Sequence, residues 1–177
     1  MSITIRLIQE EKDLETVAKL AEKIWSRTYK EILSQEQMAY MLEMMYDLSV
    51  TTREVRDGVR FELICDGEKP IGFISYGPYA DGVAKLHKLY LDYNYHGKGI
   101  GSMALRHVIG ETRAAGYKFL RLNVNKQNKD AIRAYERNGF KLYEKVKVDI
   151  GGGFYMDDYI YLPEQTFQVK NAAQASG

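Results

Sequence analysis

The sequence predicts an α/β fold: a mixed, mostly antiparallel sheet of about seven strands flanked by helices on both faces. Three observations carry that prediction. Short runs with period-two apolar alternation recur along the whole chain. Amphipathic helical stretches interrupt them rather than clustering at one end. One unit, strand 85–91, helix 100–115 and strand 119–124, joins two strands through a helix, so those two must run parallel with a right-handed crossover. With 177 residues there is room for a single core, placed here over residues 1–162, with 163–177 as a flexible tail lacking an apolar period.

Each element has its own local reason. Ile3, Ile5 and Leu7 alternate with Thr4, Arg6 and Ile8 as a first strand. From Lys12 to Tyr29 the residues Leu14, Val17, Ala18, Ala21, Ile24 and Trp25 recur at helical spacing. Ser34, with Gln37 three residues on, opens a second helix as a capping box, and its Met38, Met41, Leu42, Met45 stripe reads as core packing. A shorter helix occupies 50–57. Arg60–Cys65 and Pro70–Tyr79 form a hairpin about Asp66-Gly67, and Asp81-Gly82 turns the chain into the next strand. Ala84 and Leu86 are apolar in one phase, Leu89 and Leu91 in the other, which places a β-bulge at His87-Lys88. Gly116 closes the following helix, Leu120, Leu122 and Val124 mark a strand, and Asn128 caps a helix that ends at Gly139. Phe140–Ile150 and Phe154–Leu162 are the last two strands, joined by Gly151-Gly152-Gly153.

Composition removes several classes of function. A net charge of +1 calls for neither nucleic acid nor an anionic membrane surface. The N-terminal MSITIRLIQEEKD is not built as a signal peptide, and no run approaches the ~20 apolar residues of a membrane span. The one cysteine, Cys65, cannot form an internal disulfide and suits a reducing, cytoplasmic setting. His, Cys and carboxylates show no metal-ligand spacing, so no metal is expected.

The chemistry centres on His96-Gly97-Lys98-Gly99-Ile100-Gly101-Ser102, a glycine-dense turn between a strand and a helix. Glycines at alternate positions clear the backbone so that its N–H groups converge on an anion, and a helix N-terminus adds more donors. A Walker loop fails because Gly97-Lys98 precedes Gly99 rather than Ser or Thr. A dinucleotide fingerprint fits Gly99 to Ala104 locally, yet three strands precede it and the next strand ends Asn123-Val124-Asn125 without the acid that holds a ribose.

LYLDYNYHGKGIGSMAL resembles the acetyl-CoA core of the GNAT (GCN5-related) N-acetyltransferases, whose signature is Arg/Gln-x-x-Gly-x-Gly/Ala. Gly99 and Gly101 match, and His96 stands at the Arg/Gln position. A second segment, from Asn128 through Ala131 and Tyr135 to Gly139-Phe140, is similar to the family's N-x-x-A-x-x-x-Y-x-x-x-G-F. The resemblance implies a GNAT-type sheet whose central parallel strands splay, with acetyl-CoA as co-substrate. It implies donor contacts from Leu89, Tyr90 and Leu91, from His96 to Ser102 (Lys98 and Ile100 included), and from Asn128, Ala131 and Tyr135. It makes Tyr135 a general acid for the leaving thiolate, with a core tyrosine as the rival reading. His87 falls where some relatives carry a base; a solvent-facing strand histidine is the alternative. His107 reads as surface. His96 is tolerable if its position chiefly presents a backbone N–H.

The resemblance implies a primary amine as acceptor. Trp25 and Tyr29 end the first helix, where relatives shape the acceptor cleft, and Asp157 and Asp158 lie beside aromatics in a segment similar to polyamine-acetylating members. Strand alternation points these two acids to opposite faces, so one at most serves the cleft, and ordinary surface charge is the other reading. The expected reaction is direct acetyl transfer to a small amine such as a polyamine, by a monomer or homodimer. A protein N-terminus or lysine as acceptor, or a non-catalytic acyl-CoA sensor, are the alternatives.

Overall fold

The computed structural model describes residues 1–164, so the expected tail lies almost wholly outside the described residues. The chain runs β1 (Ile3–Leu7), α1 (Glu11–Thr28), α2 (Gln35–Tyr46), α3 (Leu48–Arg56), β2 (Arg60–Asp66), β3 (Lys69–Ala80) and β4 (Val83–Leu91). A short 3-10 turn, Tyr93–Tyr95, leads to α4 (Ile100–Ala114), β5 (Phe119–Asn125), α5 (Lys129–Arg137), β6 (Phe140–Gly151) and β7 (Phe154–Pro163). The seven strands form one sheet in the order β1-β2-β3-β4-β5-β7-β6, antiparallel except for β4 and β5.

Local chemistry sets the boundaries. Ser34 Oγ accepts from Gln37 N at 3.1 Å and starts α2, and Asn128 Oδ1 accepts from Ala131 N to start α5. The sheet divides the core in two. One layer, under α4 and α5, holds Ile64, Ile74, Leu86, Leu91, Leu105, Val108, Leu122 and Phe140. The other, under α1 to α3, holds Val17, Trp25, Met41, Phe61, Leu63 and Phe73, with Met38, Leu42 and Met45 packed at its margin. The methionine stripe of α2 therefore belongs to the core.

The break in alternation within β4 is a bulge. Ser75 lies opposite Lys88 and Tyr76 opposite Leu86, so His87 has no partner on β3. Ala84 and Leu86 before it, and Leu89 and Leu91 after it, all face the α4 layer. At the same point β4 leaves β5: their parallel pairing runs from Val83/Phe119 to Leu86/Leu122 and stops. Beyond Leu122, β5 continues paired with β7 alone. Among the described residues the far edge of β4 from His87 to Leu91 thus pairs with no strand, and a wedge opens between the two central strands.

Candidate active site

The glycine loop lies where the wedge meets α4. Gly97 and Gly99 have φ of 75° and 80°, a left-handed conformation natural to glycine, and a Cβ at Gly97, Gly99 or Gly101 would meet nothing within 4 Å. Gly99 is the N-cap of α4 and brings no capping side chain, so first-turn N–H groups are left for a guest. That open, uncapped helix start fits the pyrophosphate of acetyl-CoA. Lys98 is exposed beside it, whereas Ile100 is buried and anchors the helix.

Two loop residues behave otherwise than the sequence suggests. The N–H of His96 is taken by the Tyr93 carbonyl at 3.0 Å, and its Nε2 lies 2.9 Å from the Leu91 carbonyl. His96 therefore braces the turn after β4 instead of presenting its N–H outward. Ser102 Oγ accepts from Asn138 Nδ2 at 3.0 Å, which ties the start of α4 to the end of α5. Leu89 and Leu91 pack their side chains into the core, leaving only their backbone edge for a donor.

A tyrosine cluster lies beside the bulge in the core layer under α1 to α3. The hydroxyls of Tyr29, at the end of α1, and Tyr90, just past the bulge, are 2.9 Å apart. Trp25 packs edge-on to Tyr29 and tilted against Tyr90, at 5.0 Å and 5.7 Å between ring centroids. Only 1% exposed, Trp25 supports the cleft from inside and does not line it. The Tyr29 hydroxyl also interacts with the Asn128 side chain, which joins α1 to the cap of α5. Tyr135 packs edge-on against Phe140 at 6.1 Å. Burial raises its phenol pKa, and the neighbouring Tyr29 adds to the effect. A phenol so held stays protonated at neutral pH, as a proton donor must.

His87 occupies the bulge with Nε2 buried and without a hydrogen-bond partner among the described residues. Burial, then Lys88, then Lys85 push its pKa from 6.5 down to about 4. The imidazole is consequently neutral at pH 7. It is not a solvent-facing strand histidine. Lys88, 4% exposed, sits 3.8 Å from Glu54 and over the rings of Tyr46 and Phe61. Nor is His107 a free surface residue: its Nε2 lies 3.1 Å from Oε1 of Glu62, which is buried beneath α4.

The two C-terminal acids part as strand alternation requires. Asp157 is exposed and pairs with Lys126 at 2.6 Å, so it is surface charge. Asp158 is 4% exposed on the inner face, its carboxyl pKa raised by burial against the opposing effects of Asn123 and Lys85. Sequence reasoning missed Lys85, Arg121 and Asn123, which share that face. The signal was present: strands covered by helices on both sides should be apolar in both phases, and 85, 87, 121 and 123 are not. A roof completes the cleft. Tyr40 Oη donates to the Ile150 carbonyl at 2.7 Å and Gln37 Nε2 to the Tyr155 carbonyl at 2.7 Å, fastening the β6–β7 hairpin to α2.

A free strand edge, an uncapped glycine-led helix and a half-buried phenol on the same core layer fit an acyltransferase that uses CoA as its carrier. The profile of the acetyltransferase (GNAT) family matches residues 18–140, and the chain belongs to that family. It is 33% identical over 147 residues to a spermidine N(1)-acetyltransferase of Thermoplasma acidophilum, covering 80% of this chain and 90% of that one. It is 29% identical over 153 residues to the peptidyl-lysine N-acetyltransferase YjaB of Salmonella typhimurium, covering 84% and 90%. Among solved structures, the PaiA N-acetyltransferase of Thermoplasma acidophilum in complex with coenzyme A superposes with a TM-score of 0.77 at 29% identity, over 92% of this chain and 99% of that one. The chain is an N-acetyltransferase of the GNAT type. No helix among the described residues is long and apolar enough to cross a membrane.

Proposed function

We propose that this enzyme moves the acetyl group of acetyl-CoA directly onto the primary amine of an alkylamine, with both substrates bound at once. The observation that carries the reading is the wedge itself: β4 leaves β5 after Leu86, and the core layer that holds Leu89 and Leu91 also holds Ile100 of the α4 start and Tyr135. The donor's pantetheine pairs with Leu89–Leu91, its pyrophosphate rests on residues 97–102, and Asn128 borders it. The bound ammonium first gives a proton to solvent; the neutral amine nitrogen then attacks the thioester carbon, the C–S bond breaks, and Tyr135 donates its phenolic proton to the departing thiolate and is reprotonated from solvent. The amine proton leaves through the unpartnered Nε2 of the neutral His87, which passes it on to solvent. Cys65 is free and buried, in keeping with a cytoplasmic setting, and takes no part as an acyl carrier.

For the acceptor, the buried Asp158 supports a cationic amine, and the spermidine acetyltransferase relative makes a polyamine the first compound to test. The peptidyl-lysine acetyltransferase relative supports a second reading, a lysine side chain. Both are primary amines on a flexible alkyl stem. Thiol release from acetyl-CoA over a panel of alkylamines and lysine peptides tests the proposal. Stimulation well above hydrolysis is expected with at least one acceptor. If CoA binds and no amine stimulates release, the chain is an acyl-CoA sensor and the catalytic reading is wrong.

A further inference from the structure

The inner face of the splayed strands carries a charge gradient. At one end Asp158 lies opposite Asn125 and influences the Tyr29 phenol of the tyrosine cluster. At the other, Lys85 of β4 stands opposite Arg121 of β5, in the last stretch where the two strands still pair. Both cations lie over one ring, that of the half-exposed Tyr79, Arg121 Cζ at 4.4 Å and Lys85 Nζ at 5.3 Å from its centroid. Between the two ends are His87 Nε2 and Asn123 Oδ1, and Arg121 contributes its own Nε; all three atoms are buried and lack a hydrogen-bond partner among the described residues.

Such a rung is costly for a protein to keep. Like charges directly opposite across two strands repel; Asp158 acts on Lys85 only from beyond ion-pair distance, and neither cation has a carboxylate in direct contact among the described residues. Unpartnered polar atoms out of water add a further penalty. An anion seated there would relieve the repulsion and give Arg121 Nε an acceptor, taking a forked hydrogen bond from the guanidinium and charge from the ammonium. A second ammonium, as on a diamine or polyamine, would be repelled.

Building on the alkylamine reading above, and in place of its polyamine acceptor, we propose that the acceptor is zwitterionic: its primary amine is held at the Asp158 end and an anionic group, a carboxylate, is held by Lys85 and Arg121. The acid and the cations are four β5 residues apart, roughly 13 Å at about 3.3 Å per residue, less the reach of the Lys and Arg side chains. That separation suits a terminal amine several methylenes from its carboxylate, as in an ω-amino acid or free lysine, and not an α-amino acid such as glycine.

The experiment compares 6-aminohexanoate, hexane-1,6-diamine and hexylamine, which share one alkyl stem and differ at the far end. With the wild-type enzyme, kcat/KM should follow aminohexanoate over hexylamine over the diamine. In Arg121→Gln, and in Lys85→Gln, the ratio of aminohexanoate to hexylamine should fall by about 10- to 100-fold, the effect of a lost charge-assisted contact. Preference for the diamine in the wild type, or an unchanged ratio in both variants, overturns the proposal. Calorimetric binding of aminohexanoate to the CoA-loaded protein separates the two hypotheses. Arg121-dependent binding without turnover upholds the anion subsite while the transferase reading fails, and absence of binding overturns the subsite.

Discussion

Acidification tests the bulge. In the unfolded chain His87 titrates near 6.5; in the fold, burial together with Lys88 and Lys85 holds it at about 4. Between those values the unfolded chain binds the extra proton and the folded one resists it, so stability falls as pH falls. The contribution is intact above pH 6.5 and lost progressively down to about 4. At about 1.4 kcal/mol per pH unit, the loss amounts to about 3 kcal/mol. Carboxylates protonate in the same range, so the informative quantity is the difference between wild type and His87→Gln. Urea denaturation from pH 7 to 4 should show the variant losing about 3 kcal/mol less than the wild type. Parallel stability curves, or an imidazole resonance of His87 that titrates near 6.5, would refute the account of a desolvated, neutral base.

Tyr135→Phe should lower kcat by about 10² while leaving the KM for acetyl-CoA nearly unchanged, because it removes a proton donor and keeps the packing against Phe140; steady-state kinetics decide it, and unchanged turnover removes the general acid. Gly99→Glu should abolish CoA binding by calorimetry, since a carboxylate at a position with φ of 80° sets strain and negative charge at the phosphate site. Glu54→Ala should cost about 3 kcal/mol in urea denaturation by leaving the buried Lys88 ammonium without its partner, and adding Lys88→Met should recover most of it. Gly152→Val should loosen the hairpin from α2, because a Cβ there already meets the Tyr40 ring at 3.0 Å; its expected signature is a raised KM for the acceptor with that for acetyl-CoA little altered.

The sequence by itself determined whatever depends on near neighbours along the chain. Caps, glycine ends and alternation mark most helices and strands, and the three-residue step from Leu86 to Leu89 reveals the bulge before any strand is paired. The proposed donor site is read from the same kind of signal, since its loop, strand edge and helix each carry their signature in consecutive residues. Only the tertiary structure decided what side chains from distant segments do together. It turned Asp157 out and Asp158 in, sank Trp25 beneath Tyr29 and Tyr90, and turned His96 back onto Leu91. Above all it aligned Lys85 with Arg121, 36 residues apart in the chain, on a face that also bears Asp158. Pairing register and helix cover set that meeting, and neither leaves a local trace in the residues that meet.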